Sequence, residues 1–228
     1  SGHGRRSVWE GLTRMDCIFS AARGQHGDTG ALPGGGQRAS GTGRADGGAV
    51  GPDGGGESGG GPGFDCRVAA GGYAWWYVDA LSDDGLHGVS LIAFVGSVFS
   101  PYYARARRRG AADPADHCAL NVALYGPRGK CWAMTERGRA ALQRDASWLR
   151  IGPSALAWDG NALEIDIDER AVPLPWRIRG QVRVIPHALA RHESALDPRR
   201  LHRWRPIAPA ARVELRLDAP ALRWSGEG

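Results

Sequence analysis

Residues 71–85 read GGYAWWYVDALSDDG and hold the densest group of side chains in the chain that could do chemistry. In an extended segment, neighbouring residues alternate faces. Tyr73, Trp75, Tyr77 and Asp79 then share one face, and Ala74, Trp76, Val78 and Ala80 share the other. The second set is the more apolar and forms the natural core face. The first is a row of three aromatics ending in a carboxylate, a lining suited to a flat, conjugated or cationic ligand. Rings that simply fill a barrel satisfy the same periodicity, so both readings stand. Asp79 is the carboxylate placed beside an apolar face. Asp83 and Asp84 fall in a polar turn and are expected to be solvated.

Two further segments carry candidate groups. In FSPYY (99–103), Pro101 ends a strand ladder and leaves Tyr102 and Tyr103 at a strand end, where barrel mouths lie. They either line that mouth or pack under a loop. In HRWRP (202–206), His202 and Trp204 fall on one side of an extended segment and Arg203 and Arg205 on the other. A histidine beside a tryptophan is either structural or a holder of a water or a carboxylate. The sequence makes no case for a Ser-His-Asp or Cys-His arrangement, and it has no dinucleotide fingerprint, phosphate loop or metal-ligand spacing. Cys17, Cys66, Cys118 and Cys131 form no CxxC pair, which suggests free thiols in a reducing compartment.

The elements that must position these residues read mainly as β-strands. Residues 73–81 and 88–99 are apolar-rich runs separated by SDDGLH, a hairpin signal. Residues 117–126 alternate Cys118, Leu120, Val122 and Leu124 with Ala119, Asn121, Ala123 and Tyr125, and 147–168 read as three short strands with Gly-Pro and Asp-Gly-Asn turns between them. QVRVIP and ARVELRLDA repeat the alternation. The best helical signal is ERGRAALQRDA at 136–146, about three turns long. Many short strands with half-buried faces argue for an antiparallel barrel or sandwich, and a barrel can enclose an elongated apolar ligand.

These strands lie in residues 64–228. Residues 1–63 hold most of the 35 glycines and show no helical or strand period, so they read as a flexible Gly-rich tail, with a weak helix at Val8–Ser20. The net charge of +5 belongs to the folded part, in the runs RARRR (105–109) and RRLHRWR (199–205). Such runs suit a solvated face, an anionic lipid surface or phosphate; no recognition motif accompanies them, so no nucleic-acid partner is expected. The longest apolar run, LIAFVGSVF, is half a membrane span, and no signal peptide is legible. The chain has no initiator Met, as a fragment or processed product would not.

The segments GGYAWWYVDALSDDGLHGVSLIAFVGSVFSPYYARARRRG, DHCALNVALYG, WAMTERG, IGPSALAWDG, IDIDE, VPLPWRIRG and HRWRPIAPAARVEL together resemble the carotenoid 1,2-hydratases, or hydroxyneurosporene synthases. The resemblance covers nearly all of 64–228 and leaves out 1–63. It implies a lipocalin-like β fold. It also implies cofactor-free and metal-free addition of water to the C1=C2 bond of acyclic carotenoids such as neurosporene and lycopene. Such an enzyme meets its substrate at a membrane, here expected as peripheral attachment on the cytoplasmic side, with RARRR beside FSPYY touching an anionic surface. The resemblance gives catalytic roles to His202 and Trp204, with Asp79 a second-choice acid. The resemblance puts the first-choice acid at an aspartate in a Tyr-x-Asp motif that would begin just past Gly228, so this fragment is expected to lack it. Tyr73, Trp75, Tyr77, Tyr102 and Tyr103 become candidates for lining a carotenoid cavity, with Trp75 and Tyr77 better placed than Trp76. Two other readings compete: a lipocalin-like holder of a long apolar ligand without catalysis, and an inactive truncated product. The sequence leaves the oligomeric state open.

Overall fold

In the computed structural model, residues 61–228 are described in full and residues 19–24 as backbone. The strands are β1 (Phe19–Gly24), β2 (Tyr73–Ser82), β3 (Gly88–Val95), β4 (Cys118–Gly126), β5 (Gly129–Met134), β6 (Leu142–Arg144) and β7 (Trp148–Ile151). They continue as β8 (Ser154–Trp158), β9 (Leu163–Arg170), β10 (Arg177–Pro186), β11 (Ser194–Ala195), β12 (His202–Ala208), β13 (Ala211–Ala219) and β14 (Ala221–Glu227). One α-helix, α1 (Pro101–Arg109), follows β3. All described strands join one antiparallel sheet, in the order β11-β12-β1-β2-β14-β13-β10-β9-β8-β7-β6, with β3, β4 and β5 continuing from the other edge of β2. The sheet curls until β4 and β5 meet β7 and β9.

The alternation read from the sequence decides which face the curl encloses. Inward go Ala74, Trp76, Val78 and Ala80 of β2; Val89, Leu91, Ala93 and Val95 of β3; and Cys118, Leu120, Val122 and Leu124 of β4. Leu163, Ile165 and Ile167 of β9 and Val213, Leu215 and Leu217 of β13 meet them from the opposite wall. Trp76 is 2% exposed, packs on the Phe64 ring at 5.1 Å and donates its Nε1–H to the Pro62 carbonyl at 3.1 Å. Burying such side chains removes large apolar areas from water, each worth about 1.5–3 kcal/mol. One charged group goes inward with them: Glu169 accepts from Arg137 Nη2 and from Ser154 Oγ, both at 2.8 Å. Burial raises its pKa against the pull of the Arg137 guanidinium.

The expected hairpin is β2–β3, closed by Gly85 at φ +67°. Three short strands in 147–168 are β7, β8 and β9. Three expectations are corrected. Residues 136–146 do not form a three-turn helix: Arg137 exchanges backbone hydrogen bonds with Cys118, Arg139–Ala141 make one 3₁₀ turn, and Leu142–Arg144 pair with β7. Pairing with the curling sheet outweighs a modest helical propensity. Tyr102 and Tyr103 are not at a strand end but in the first turn of α1, capped by Ser100 Oγ accepting from Tyr103 N with Pro101 at the first position. Residues 1–63 are not all tail, because Phe19–Gly24 is a strand. The rest of the Val8–Ser20 segment lies outside the described residues.

Along one edge of β2, β14 pairs only at Gly226↔Ser82 and Glu227↔Leu81, just beyond the stretch that β1 occupies. A Cβ on Gly226 would stand 1.8 Å from the Leu81 carbonyl oxygen. Gly226→Ala is therefore expected to lower stability by about 1–3 kcal/mol, the usual cost of overpacking. Urea denaturation checks this, and amide exchange should show lost protection at Leu81 and Ser82.

Candidate active site on the outer face

The face of β2 opposite the core carries Tyr73, Trp75 and Tyr77, all half-buried, and Asp79, which is exposed. They are joined there by residues from strands on both sides of β2. On one side, β3 places Phe94 opposite Trp75, Ile92 opposite Tyr77 and Ser90 opposite Asp79. Ile92, Phe94 and Ala119 form a small second core outside the main one, packed against Trp75, Tyr77, Val98 and Met134. Trp75 and Phe94 lie 6.0 Å apart, and Phe99 meets Phe94 edge-on at 5.4 Å.

On the other side, β1 stands between β2 and β12. Gly24 pairs with both Tyr73 and His202, Ala22 with both Trp75 and Trp204, and Ser20 with both Tyr77 and Pro206. Directly opposed residues share a face. His202, Trp204, Tyr73, Trp75, Tyr77 and Asp79 therefore face the same way, with Trp75 and Trp204 roughly 10 Å apart across two strand spacings. The Tyr73 hydroxyl and His202 Nδ1 are 2.9 Å apart, and their rings stack at 5.8 Å with 21° between planes. Asp197 holds the approach to β12: its Oδ2 accepts from His202 N at 2.7 Å and its Oδ1 from Arg199 N at 2.9 Å.

This face disfavours ionisation of its acids. Desolvation, reinforced by the Asp79 carboxyl, pushes the Tyr77 hydroxyl up to about 12. Tyr73 is raised by desolvation and by the negative charge of Asp197. Asp79 is open to solvent as a residue, yet crowding of its carboxyl raises its pKa; the hydrogen bond from Tyr77 works the other way. The Trp75 Nε1–H is buried and has no acceptor among the described residues. The arrangement amounts to an aromatic, partly dry platform with one carboxyl at its rim and one imidazole at its end.

Seven of the residues singled out from the sequence are thus separated into two groups. His202, Trp204, Tyr73, Trp75, Tyr77 and Asp79 come together. Trp76 belongs to the filled interior, so the aromatic row lies outside the curl and not inside a barrel cavity. Tyr103 does not line a site either: it is 0% exposed, donates to the Gly72 carbonyl at 2.5 Å, and packs against Arg107 at 5.0 Å and the His117 ring at 4.8 Å. Tyr102 projects from α1 and is 70% exposed. Asp83 ties the hairpin turn to Arg212 of β13 at 2.6 Å, and Asp84 accepts from Leu86 N at 2.9 Å within the turn. Of the second basic run, Arg203 pairs with Glu193 at 2.9 Å and Arg205 donates to the Gly61 carbonyl at 2.7 Å. The sequence reading missed Phe94, Ile92 and the whole of β1. The outward apolar residues of strand 88–95 were a usable signal: Ile92 and Phe94 break the apolar-in, polar-out pattern.

A curled antiparallel sheet with few helices defines a lipocalin-like β protein. Within that class, the chain belongs to the carotenoid hydratase family CrtC, whose profile matches residues 91–228. It is 57% identical over 227 residues to the acyclic carotenoid 1,2-hydratase of Thiocapsa roseopersicina, covering 100% of this chain and 56% of that protein. The corresponding hydratase of Rubrivivax gelatinosus is 55% identical over 227 residues, covering 99% of this chain and 56% of that protein. That of Rhodobacter capsulatus is 43% identical over 139 residues. The chain thus spans about half the length of the curated relatives it matches. The first two similarities run through residues 1–63 as well, so that segment is part of the likeness and not outside it. No solved structure matches the chain. No helix among the described residues is long and apolar enough to cross a membrane.

Because its carboxyl is raised in the folded state, ionised Asp79 weakens folding, and that penalty is present only above the unfolded carboxylate pKa. Asp79→Asn is expected to be more stable than the parent at neutral pH, with the advantage shrinking as pH falls through the carboxylate range. Denaturant midpoints at about pH 7 and pH 4 check both the sign and the trend.

Proposed function

We propose that this protein hydrates the C1=C2 end of an acyclic carotenoid on the outer-face platform. One observation carries the reading: β1 brings His202 and Trp204 of β12 into register with Tyr73 and Trp75 of β2.

The reaction asks for an acid, a stabilised cation and a held water. A carboxylic acid gives its proton to C2, and the π pair forms the C2–H bond, leaving a tertiary cation at C1. Water oxygen bonds to C1, and the oxonium then returns a proton to the carboxylate, so acid and charge are restored. The faces of Trp75, Trp204 and Tyr73 stabilise the cation, and exclusion of bulk water confines capture to a held molecule. The acid must stay protonated until it acts, which desolvation favours. We place that acid in a Tyr-x-Asp motif following Gly228, with Asp79 secondary. In the register of β14 on β2, a continuing chain would pass Ala80 and then Asp79 before β1 takes over the edge at Val78. Alternate residues there would point to the platform.

A longer enzyme carrying this chain is expected to convert lycopene in detergent to 1-hydroxylycopene. Trp75→Ala and Trp204→Ala should each lower turnover about 30-fold, as expected for about 2 kcal/mol of desolvated cation–π stabilisation. Asp79→Asn should retain substantial turnover. Bound lycopene with no hydrated product would make the protein a carrier instead.

The substrate resides in bilayers, and we place the protein peripherally on the cytoplasmic side, docked through α1. Tyr102 and Phe99 are exposed there, and Arg105, Arg108 and Arg109 have no acidic partner among the described residues. Arg107 is committed to the Tyr103 ring. Replacing Arg105, Arg108 and Arg109 by Ala should weaken binding to anionic vesicles about a hundred-fold or more, at roughly 1 kcal/mol per charge. Sedimentation with anionic and neutral vesicles measures it; equal binding to both sinks the role of α1.

A further inference from the structure

We propose that Tyr73 is a positioning residue that fixes His202 as the tautomer bearing its proton on Nε2. His202 then presents an N–H donor, and not a basic nitrogen, to whatever occupies the platform. The role in turnover rests on the hydration reading above; the tautomer itself does not.

Three features of the site lead there. The Tyr73 hydroxyl lies 2.9 Å from Nδ1, and among the described residues this is the only hydrogen bond the His202 ring makes. A phenol gives a proton into a hydrogen bond more readily than it accepts one, and desolvation together with Asp197 keeps Tyr73 protonated. The Tyr73 hydroxyl has no acceptor other than Nδ1 among the described residues, so the bond is satisfied best with the hydroxyl donating. A neutral imidazole that accepts at Nδ1 must carry its hydrogen on Nε2. The ring also cannot turn over cheaply. It is stacked on Tyr73, Tyr73 meets Trp75 edge-on at 6.1 Å, and the backbone on the other side is pinned by Asp197.

The consequence for chemistry is specific. A donor at Nε2 can hold the oxygen of a water or of a carboxyl group, which orients that group beside the aromatic wall. It cannot take a proton from the water at the moment of capture. In this assignment His202 aligns the reactants, and proton return falls to the carboxylate. Tyr73 thereby has a part distinct from lining the binding face: its ring is a wall and its hydroxyl sets the imidazole.

The test is long-range proton–nitrogen NMR on the histidine-labelled 228-residue chain at a pH where the ring is neutral, with His202→Gln to assign the signal. The expected result is a single tautomer, with Nδ1 as a hydrogen-bonded acceptor and Nε2 carrying hydrogen. Tyr73→Phe keeps the stacked ring and should release a mixture of tautomers. A hydrogen on Nδ1 in the unaltered chain overturns the proposal, and that measurement needs no variant to fold. An unchanged Nδ1 signal in Tyr73→Phe overturns it as well. In the longer enzyme, Tyr73→Phe should lower kcat about ten-fold, the worth of one hydrogen bond, with KM within about two-fold. Unchanged kcat alongside released tautomers overturns the positioning role. Absence of any hydration by the unaltered enzyme would instead remove the hydration reading and leave the tautomer result standing.

Discussion

The outer face depends on one six-residue strand. β1 fills the gap between β2 and β12 with two antiparallel ladders, and the same three of its residues face the key positions on each side. Without it, the strand neighbour left to β12 among the described residues is the two-residue β11, and the backbone ladders that set the register of His202 to Tyr73 are lost. Backbone pairing is well suited to the task. A one-residue slip would turn every side chain to the opposite face, so a ladder that forms at all sets orientation as well as spacing. The strand also ends where β14 begins its short contact with β2. One edge of β2 is therefore shared between two partners, and their junction falls beside Asp79.

The sheet keeps its two faces chemically distinct. The inner face is packed with aliphatic side chains and Trp76, which hold the curl together and leave the interior occupied by protein. The outer face is polar over β9, β10 and β13, where Glu164, Arg183 and Glu214 stand in cross-strand order, but apolar over β2, β3 and β4. A protein that only needed a soluble exterior would continue the charged pattern across all of these strands. Rings of Trp75, Phe94 and Phe99 on the outside are instead what a surface needs if it is to cover an apolar molecule and lower the local dielectric around Asp79 and Tyr77. The main core and the outer aromatic cluster thus draw on alternate residues of the same strand, so Trp76 and Trp75 can be adjacent in sequence and sit on opposite faces.

Much of this was legible without coordinates, and the reasons for the failures are instructive. The β2–β3 hairpin, the faces of β4 and the strands of 147–168 were readable because a period of two and a turn residue are local signals. The helix was sought at 136–146, where propensity favours it, and found at 101–109, where Ser100 and Pro101 supply a start that strand-based reading passed over. β1 was missed because Phe19–Gly24 sits in glycine-rich surroundings and has too little apolar surface to fold by itself. Its stability comes from two waiting edges that lie far away in the chain.

The sequence by itself determined the class of fold, the division of β2 into a core face and an aromatic face, and membership of a hydratase family. Alternation and residue type are properties of the chain, and they survive without knowing which strands meet. Only the tertiary structure decided that the core face of β2 is the inside of the curl, that Tyr103 is a packing residue, and that His202 reaches Tyr73 from 129 positions away. Those facts depend on strand order, on curl and on the register of a strand that has no fold of its own, and such non-local pairings leave no period for a sequence to display.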